Sequence, residues 1–345
     1  MIEILFQGSI HANNYFSNFF LWFIPPHVAN AGELQDRERI ESAARNNLYF
    51  ENFSQLEADS NAYRREKSRT SSGLWKLTLF YVGISQTLEF NGDPVEAEKF
   101  FVEMEGKTKA WLKKYPNSPA ANIAYAMMLH NRGWGYRGEE YASRVKPESW
   151  APFRKYVAAA RAHLESTKSV ASVDPRWYEL MLNIGRAQGW ERQQFDKLFA
   201  EAVGREPLFY QHYFSALEYL LPKWHGDIAE IEKFSRNAVK LTSATEGKGM
   251  YARIYWFASQ THYELDIFTG TKVSWKEMKA SFEDVIARYP DAWNLNNFAK
   301  FACLARDKNK AAELIKRTES EIIPEAWPSR TARDACKTFV YQSTS

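Results

Sequence analysis

Residues 289–320 read "YPDAWNLNNFAKFACLARDKNKAAELIKRTES", and the spacing in this stretch decides the fold. Apolar residues return three and four apart, the period of one face of a helix. The opening "YPDAWNL" places Pro290 beside the first turn, where its missing N–H would have no helical partner in any case. Small residues at Ala299, Ala302, Ala311 and Thr318 let two antiparallel helices approach closely. Leu295, Phe298 and Ile315 are large enough to fill the groove between such pairs.

Counted from Ala292, these residues follow the bulky-and-small pattern of a tetratricopeptide unit, with Pro324 one place beyond the usual closing proline. Similar openings recur at "YPNSPAA" (115–121), "VDPRWYEL" (173–180) and "REPLFYQHY" (205–213), with Ser118 and Asp174 placed as N-caps. Helical faces follow: Trp150, Phe153, Val157 and Leu164; Trp177, Leu180, Met181 and Ile184; Tyr251, Ile254, Tyr255 and Ala258. No region shows sustained period-two alternation, so no significant sheet is expected. The expectation is an all-α, tetratricopeptide-like, right-handed helical-repeat solenoid of about six or seven helix pairs. Residues 32–345 would form it as a single elongated domain.

The 345-residue chain carries 45 basic and 42 acidic side chains, a formal charge of +3. That balance gives no electrostatic case for nucleic acid or an anionic membrane. Its 12 Trp, 18 Tyr and 23 Phe suit layered helix packing or a binding groove. No segment reads as a transmembrane helix; the apolar run Phe19–Ile24 is far too short. Residues 1–31 read as a signal-like, tag-derived or disordered segment. "LFQG" (5–8) resembles a viral protease recognition sequence, and Ala29-Asn30-Ala31 has the small residues that a signal peptidase reads. Periplasmic or secreted placement is favoured on that ground, with cytoplasmic placement as the alternative. The only cysteines, Cys303 and Cys336, lie 33 residues apart, about one repeat length. They would pair as a disulfide if consecutive units stack in register, or remain two small core thiols.

Four pieces, "GLWKLTLFY" (73–81), "NRGWGYRGEEYASRVKPESWAPF" (131–153), "DPRWYELML" (174–182) and "LPKWHGD" (221–227), occur in order. Through them the chain resembles a bacterial helical family, the domain of unknown function numbered 4034, over most of residues 45–240. The resemblance implies tetratricopeptide-like architecture. It implies no activity and no catalytic residues.

The densest cluster of candidate binding residues is "HNRGWGYRGEEYASRV" (130–145). Three glycines make a helix across 133–138 costly, at roughly 1 kcal/mol each, so a loop is expected between a helix ending near His130 and one starting near Pro147. Glycine N–H groups with Arg132, Arg137 and Arg144 suit a carboxylate or phosphate, while Trp134 and Tyr136 would cap the core. The stretch is not a P-loop, because Glu139 follows Gly138 where lysine is required. In "LPKWHGD", Trp224 anchors a turn that Asp227 would cap; His225 beside Asp227 lacks the nucleophile and oriented base that a hydrolase needs. Trp177, His212 and Trp224 are the candidate walls of a pocket. No histidine or cysteine spacing suits a metal, and no cofactor motif is present. The sequence therefore reads as a non-enzymatic scaffold for a protein or peptide partner. The alternative is an enzyme or small-anion-binding protein that uses residues 131–144.

Overall fold

The computed structural model describes residues 32–90, 92, 96–138, 140–224 and 226–342. The segment 1–31, read above as signal-like, tag-derived or disordered, lies outside the described residues, as do Glu139 and His225. The helices are α1 (Gly32–Tyr49), α2 (Phe53–Glu66), α3 (Lys76–Thr87), α4 (Ala97–Lys114), α5 (Pro119–Arg137), α6 (Trp150–Ser166), α7 (Lys168–Ala171), α8 (Pro175–Ala187) and α9 (Arg192–Arg205). They continue as α10 (Tyr210–Tyr219), α11 (Ile228–Glu246), α12 (Gly249–Ala258), α13 (Ile267–Gly270), α14 (Trp275–Arg288), α15 (Ala292–Leu304), α16 (Lys308–Arg317) and α17 (Arg330–Tyr341). Among the described residues there is no β-strand, only one isolated bridge between Arg69 and Trp75.

Local chemistry sets many of these boundaries. Ser118 accepts a hydrogen bond from the Ala121 N–H, and Asp174 accepts one from Arg176, each with proline in the first turn. Asp227 and Asp291 cap α11 and α15 in the same way. The faces read from the sequence are the faces that are buried: Trp177, Leu180, Met181 and Ile184 on α8, and Phe298, Ala299, Ala302, Ala311 and Ile315 across α15 and α16.

Packing runs from neighbour to neighbour. α5 lies against α4 and α6; α8 against α6, α9 and α10; α12 against α10, α11 and α14; α15 against α14, α16 and α17. Helices α5, α8, α10 and α12 form an inner row, which reaches α15 through the Trp256–Trp293 ring contact at 6.3 Å. One hydrophobic core extends from Ile40 to Val340. Helix α3 is apolar on nearly all sides, and Leu77 to Ile84 are all buried between α1 and α5.

Before α3 the chain forms a strap, Lys67–Trp75, across the amino-terminal ends of the inner row. Lys67 meets Glu206 at 2.7 Å, and Arg69 donates to the Leu208 carbonyl at 2.9 Å. The Ser72 carbonyl accepts from both Arg253 and Asn294 at 3.1 Å. Glu33 holds the strap from behind, accepting from the Ser72 N–H at 2.9 Å, Thr70 at 3.0 Å, Ser71 at 3.2 Å and Arg37 at 2.7 Å.

At the far end a disulfide joins Cys303 of α15 to Cys336 of α17, with Cα atoms 5.7 Å apart. That Cα separation falls within the ordinary disulfide range.

Candidate functional site

Helix α5 continues to Arg137, so residues 133–137 are helical and not the loop that their glycines suggest. Packing outweighs propensity here. A Cβ on Gly133 would sit 3.2 Å from the Phe153 carbonyl oxygen, and one on Gly135 would sit 2.4 Å from the Phe101 ring. The glycines let α4 and α6 close on α5 from two sides. Gly138, at φ +72°, then ends the helix in a conformation that other residues rarely adopt.

Helical continuation divides the candidate residues between two faces, since only positions three or four apart share one. Arg132 and Tyr136 point toward α4. Arg132 pairs with Glu105 at 2.7 Å and with Glu98, and its guanidinium stacks 4.4 Å from the Tyr156 ring. Tyr136 donates to Glu98 and stacks on Tyr156. These residues hold three helices together and are committed to that task. Arg144 lies on the surface, 3.7 Å from Glu140.

The other face carries His130, Trp134 and Arg137. Trp134 donates its indole N–H to His130 Nε2 at 3.1 Å. Burial, with the Arg186 and Arg176 cations adding to it, pushes His130 down to about 4, so it is neutral near pH 7. Arg137 lies 4.9 Å from the Trp134 ring and 5.1 Å from the Trp150 ring, and donates to the Gly138 and Glu140 carbonyls. Burial and then the Arg186 charge lower its pKa.

Arg186 is therefore the meeting point of this edge. It pairs with Glu218 at 2.7 Å and stacks 5.0 Å from the Trp224 ring. Lys223 is lowered first by burial and also by Arg186, while Glu218 opposes the shift. Arg176 and Glu179, one turn apart on α8, neutralise each other. Arg186 lies on the same stripe of α8, three turns along from Arg176. On this edge α12 ends in a π-helical turn, Ser259–Tyr263, where His262 is lowered by burial and by the Lys223 charge.

A cavity of about 510 Å³ opens against Trp150 and Phe153, whose rings lie 5.1 and 5.8 Å from Arg137. Trp150, Phe153 and Val157 of α6 form one wall, and Ala187, Gln188 and Trp190 the other, with Arg154 and Arg161 at the rim. Trp190 is fixed in place: its indole N–H donates to Gln188 at 3.0 Å, its carbonyl accepts from Tyr219 at 2.8 Å, and Arg161 stacks on its ring at 4.6 Å. Arg154 is exposed and makes no ion pair or hydrogen bond among the described residues.

The structure thus brings together Trp134, Arg137 and Trp224, and leaves Arg132, Tyr136, Arg144, Trp177 and His212 elsewhere. Trp177 is buried and donates to the Leu164 carbonyl at 3.0 Å. His212 is fully buried with Nε2 2.9 Å from the Pro175 carbonyl oxygen, and burial lowers it to about 4. Both are core residues. Sequence reasoning missed Arg186, Lys223, Trp150, Trp190 and Arg154. The available signal was α8's polar stripe Arg176, Glu179 and Arg186 on an otherwise apolar helix.

Among the described residues no cluster of metal-ligating side chains occurs, and no helix is long and apolar enough to cross a membrane. Compared with protein-family models, curated proteins and solved structures, the chain matches none.

Proposed function

We propose that this protein is a non-enzymatic, tetratricopeptide-like helical-repeat scaffold, of the kind found in the family numbered 4034. In this reading it binds a peptide segment of a partner protein on the edge formed by α6 and the α8–α9 turn. The observation that carries the reading is the 510 Å³ cavity, walled by Trp150 and Trp190 and rimmed by Arg154 and Arg161. Rigid aromatic walls with arginine at the rim are the composition of energetic centres in protein interfaces. An apolar or aromatic anchor flanked by acidic residues fits it. The Cys303–Cys336 disulfide supports a periplasmic or secreted location, because such bonds persist in oxidising compartments.

The test is a photo-crosslinker at position 158, inside the cavity, in the native organism. The reading requires a partner adduct that Trp190→Ala and Arg154→Glu both abolish while the melting temperature stays near wild type. Adducts that survive both changes, or that map to another face, rule it out.

A further inference from the structure

Helix α17 is joined to the rest of the molecule mainly through its disulfide. Only Arg333, Cys336 and Val340 of its residues are buried. Among the described residues none of its side chains makes an ion pair or hydrogen bond to another helix. Arg333 makes neither with any residue, and its Nε and Nη2 are shielded from water. Helices α14 and α16, by contrast, are tied by Lys310 to Glu283 and by Lys279 to Asp307, each at 2.7 Å.

The chain leading into α17 is anchored separately. Asn296 of α15 accepts from the Ile323 N–H at 3.4 Å and the Trp327 indole at 3.2 Å, and donates to the Glu321 carbonyl at 3.0 Å. Ile323, Ala326 and Trp327 are buried. Pro328, Ser329 and Arg330 are exposed, so the anchored part ends at Trp327 and an exposed joint follows.

The register of the seam adds like charges to this weak attachment. Asn296 meets the segment before α17, and Arg306, just past α15, lies 5.6 Å from the Phe339 ring near the end of α17. The two helices therefore run in the same direction. Lys300 and Arg333 each precede the cysteine of their own helix by three residues, a spacing that shares a face. Lys300 is half-buried, donates to Asn297 at 2.8 Å and pairs with no carboxylate among the described residues. Helix α15 contains no acidic residue, and Asp334, the one on α17, is exposed. Cations drawn out of water without a counter-charge oppose docking.

We propose that the Cys303–Cys336 bond is a redox latch that holds α17 closed against α15, and that a dithiol reductant opens it. In the first step a thiolate of the dithiol attacks Sγ of Cys303, which is partly exposed where Cys336 is buried. Cys336 leaves as thiolate and takes up a proton. The second thiol of the reductant then displaces Cys303 in the same way. Two electrons pass to the protein sulfurs, leaving two protein thiols and the oxidised reductant. Helix α17 swings out at residues 328–330, while residues 32–327 stay folded. The surface at this end of the molecule thereby follows the redox state of its surroundings.

Hydrogen exchange of the full chain, oxidised and after complete reduction by dithiothreitol, tests this. Amides of residues 334–341 should exchange about thirtyfold faster or more once reduced, the scale of a disulfide's usual contribution. Amides of α14 and α15 should keep their protection, and reoxidation should restore that of α17. Cys336→Ser should exchange like the reduced protein with no reductant present. In reduced protein, Arg333→Gln should recover about threefold or more of the lost protection, because it removes a buried charge. Unchanged exchange of 334–341 in fully reduced protein overturns the proposal. So does loss of protection that spreads through α14 and α15, which would make the bond a staple of the whole carboxy-terminal unit, or an Arg333→Gln variant that recovers nothing.

Discussion

The two edges of the inner helical row are built from similar residues and end in different states. At the amino-terminal edge, Arg37, Arg64, Arg69, Arg253 and Lys67 each finish on a carboxylate or a backbone carbonyl. At the carboxy-terminal edge, Lys223 and Arg154 finish on nothing among the described residues, and a cavity opens beside Arg154. Arginine and tryptophan next to each other therefore do not mark a binding surface by themselves. What separates structural cations from available ones is whether the chain returns to cover them, and here the strap does so at one edge only.

That contrast is easiest to break at Asp174, which is fully buried and accepts from Tyr81 at 2.8 Å, Arg64 at 3.3 Å and its own helix at the Arg176 N–H. Asp174→Ala leaves a cation and a phenol unpaired and should cost about 3–5 kcal/mol in urea unfolding. A loss under about 1 kcal/mol would mean that the amino-terminal edge is not held by its ion pairs.

Gly135→Ala gives a test of sign. Helix propensity alone predicts stabilisation by about 1 kcal/mol. Overpacking against Phe101 predicts a loss of about 1–3 kcal/mol, and loss is the expected result in thermal melts.

Glu33 sharpens the comparison through pH. Burial opposes its charge, but Arg37 and the Ser72 donors outweigh burial and hold its carboxyl below the ordinary value of 4.5. Its contribution to stability is therefore complete above about pH 4.5 and is lost as pH falls through the lower folded value. Unfolding free energy measured between pH 7 and pH 3 should show this decline, and Glu33→Gln should flatten it. The smallest effect belongs to the other edge: Arg154→Ala should change stability by less than about 0.5 kcal/mol while removing partner capture.

How much of this was legible in the sequence follows from the range of each interaction. The α15–α16 hairpin was readable residue by residue, because its opening proline, its small contacts and its apolar face all come from one short stretch. Ser118 and Asp174 were readable as caps for the same reason. The end of α5 was misread because the glycine penalty is local, whereas its compensation comes from Phe101 and Phe153 on other helices. Arg132 looked available because its partners, Glu98 and Glu105, are 34 and 27 residues back and showed no pattern with it. The carboxy-terminal edge is assembled from α5, α6, α8, α10 and a turn, so no single motif could announce it.

The strap also has a consequence for biosynthesis. A stack of helical pairs can fold as it is made, each unit docking on the one before. Ser72 cannot finish that way, because the side chains that donate to its carbonyl are 181 and 222 residues downstream. At about 5–20 residues per second, the strap waits on the order of 10–40 s for its last contacts. Glu33, only 39 residues from Ser72, can grip the waiting segment almost at once. The strap is thus held ready by a local clasp and is locked only after α15 has been synthesised.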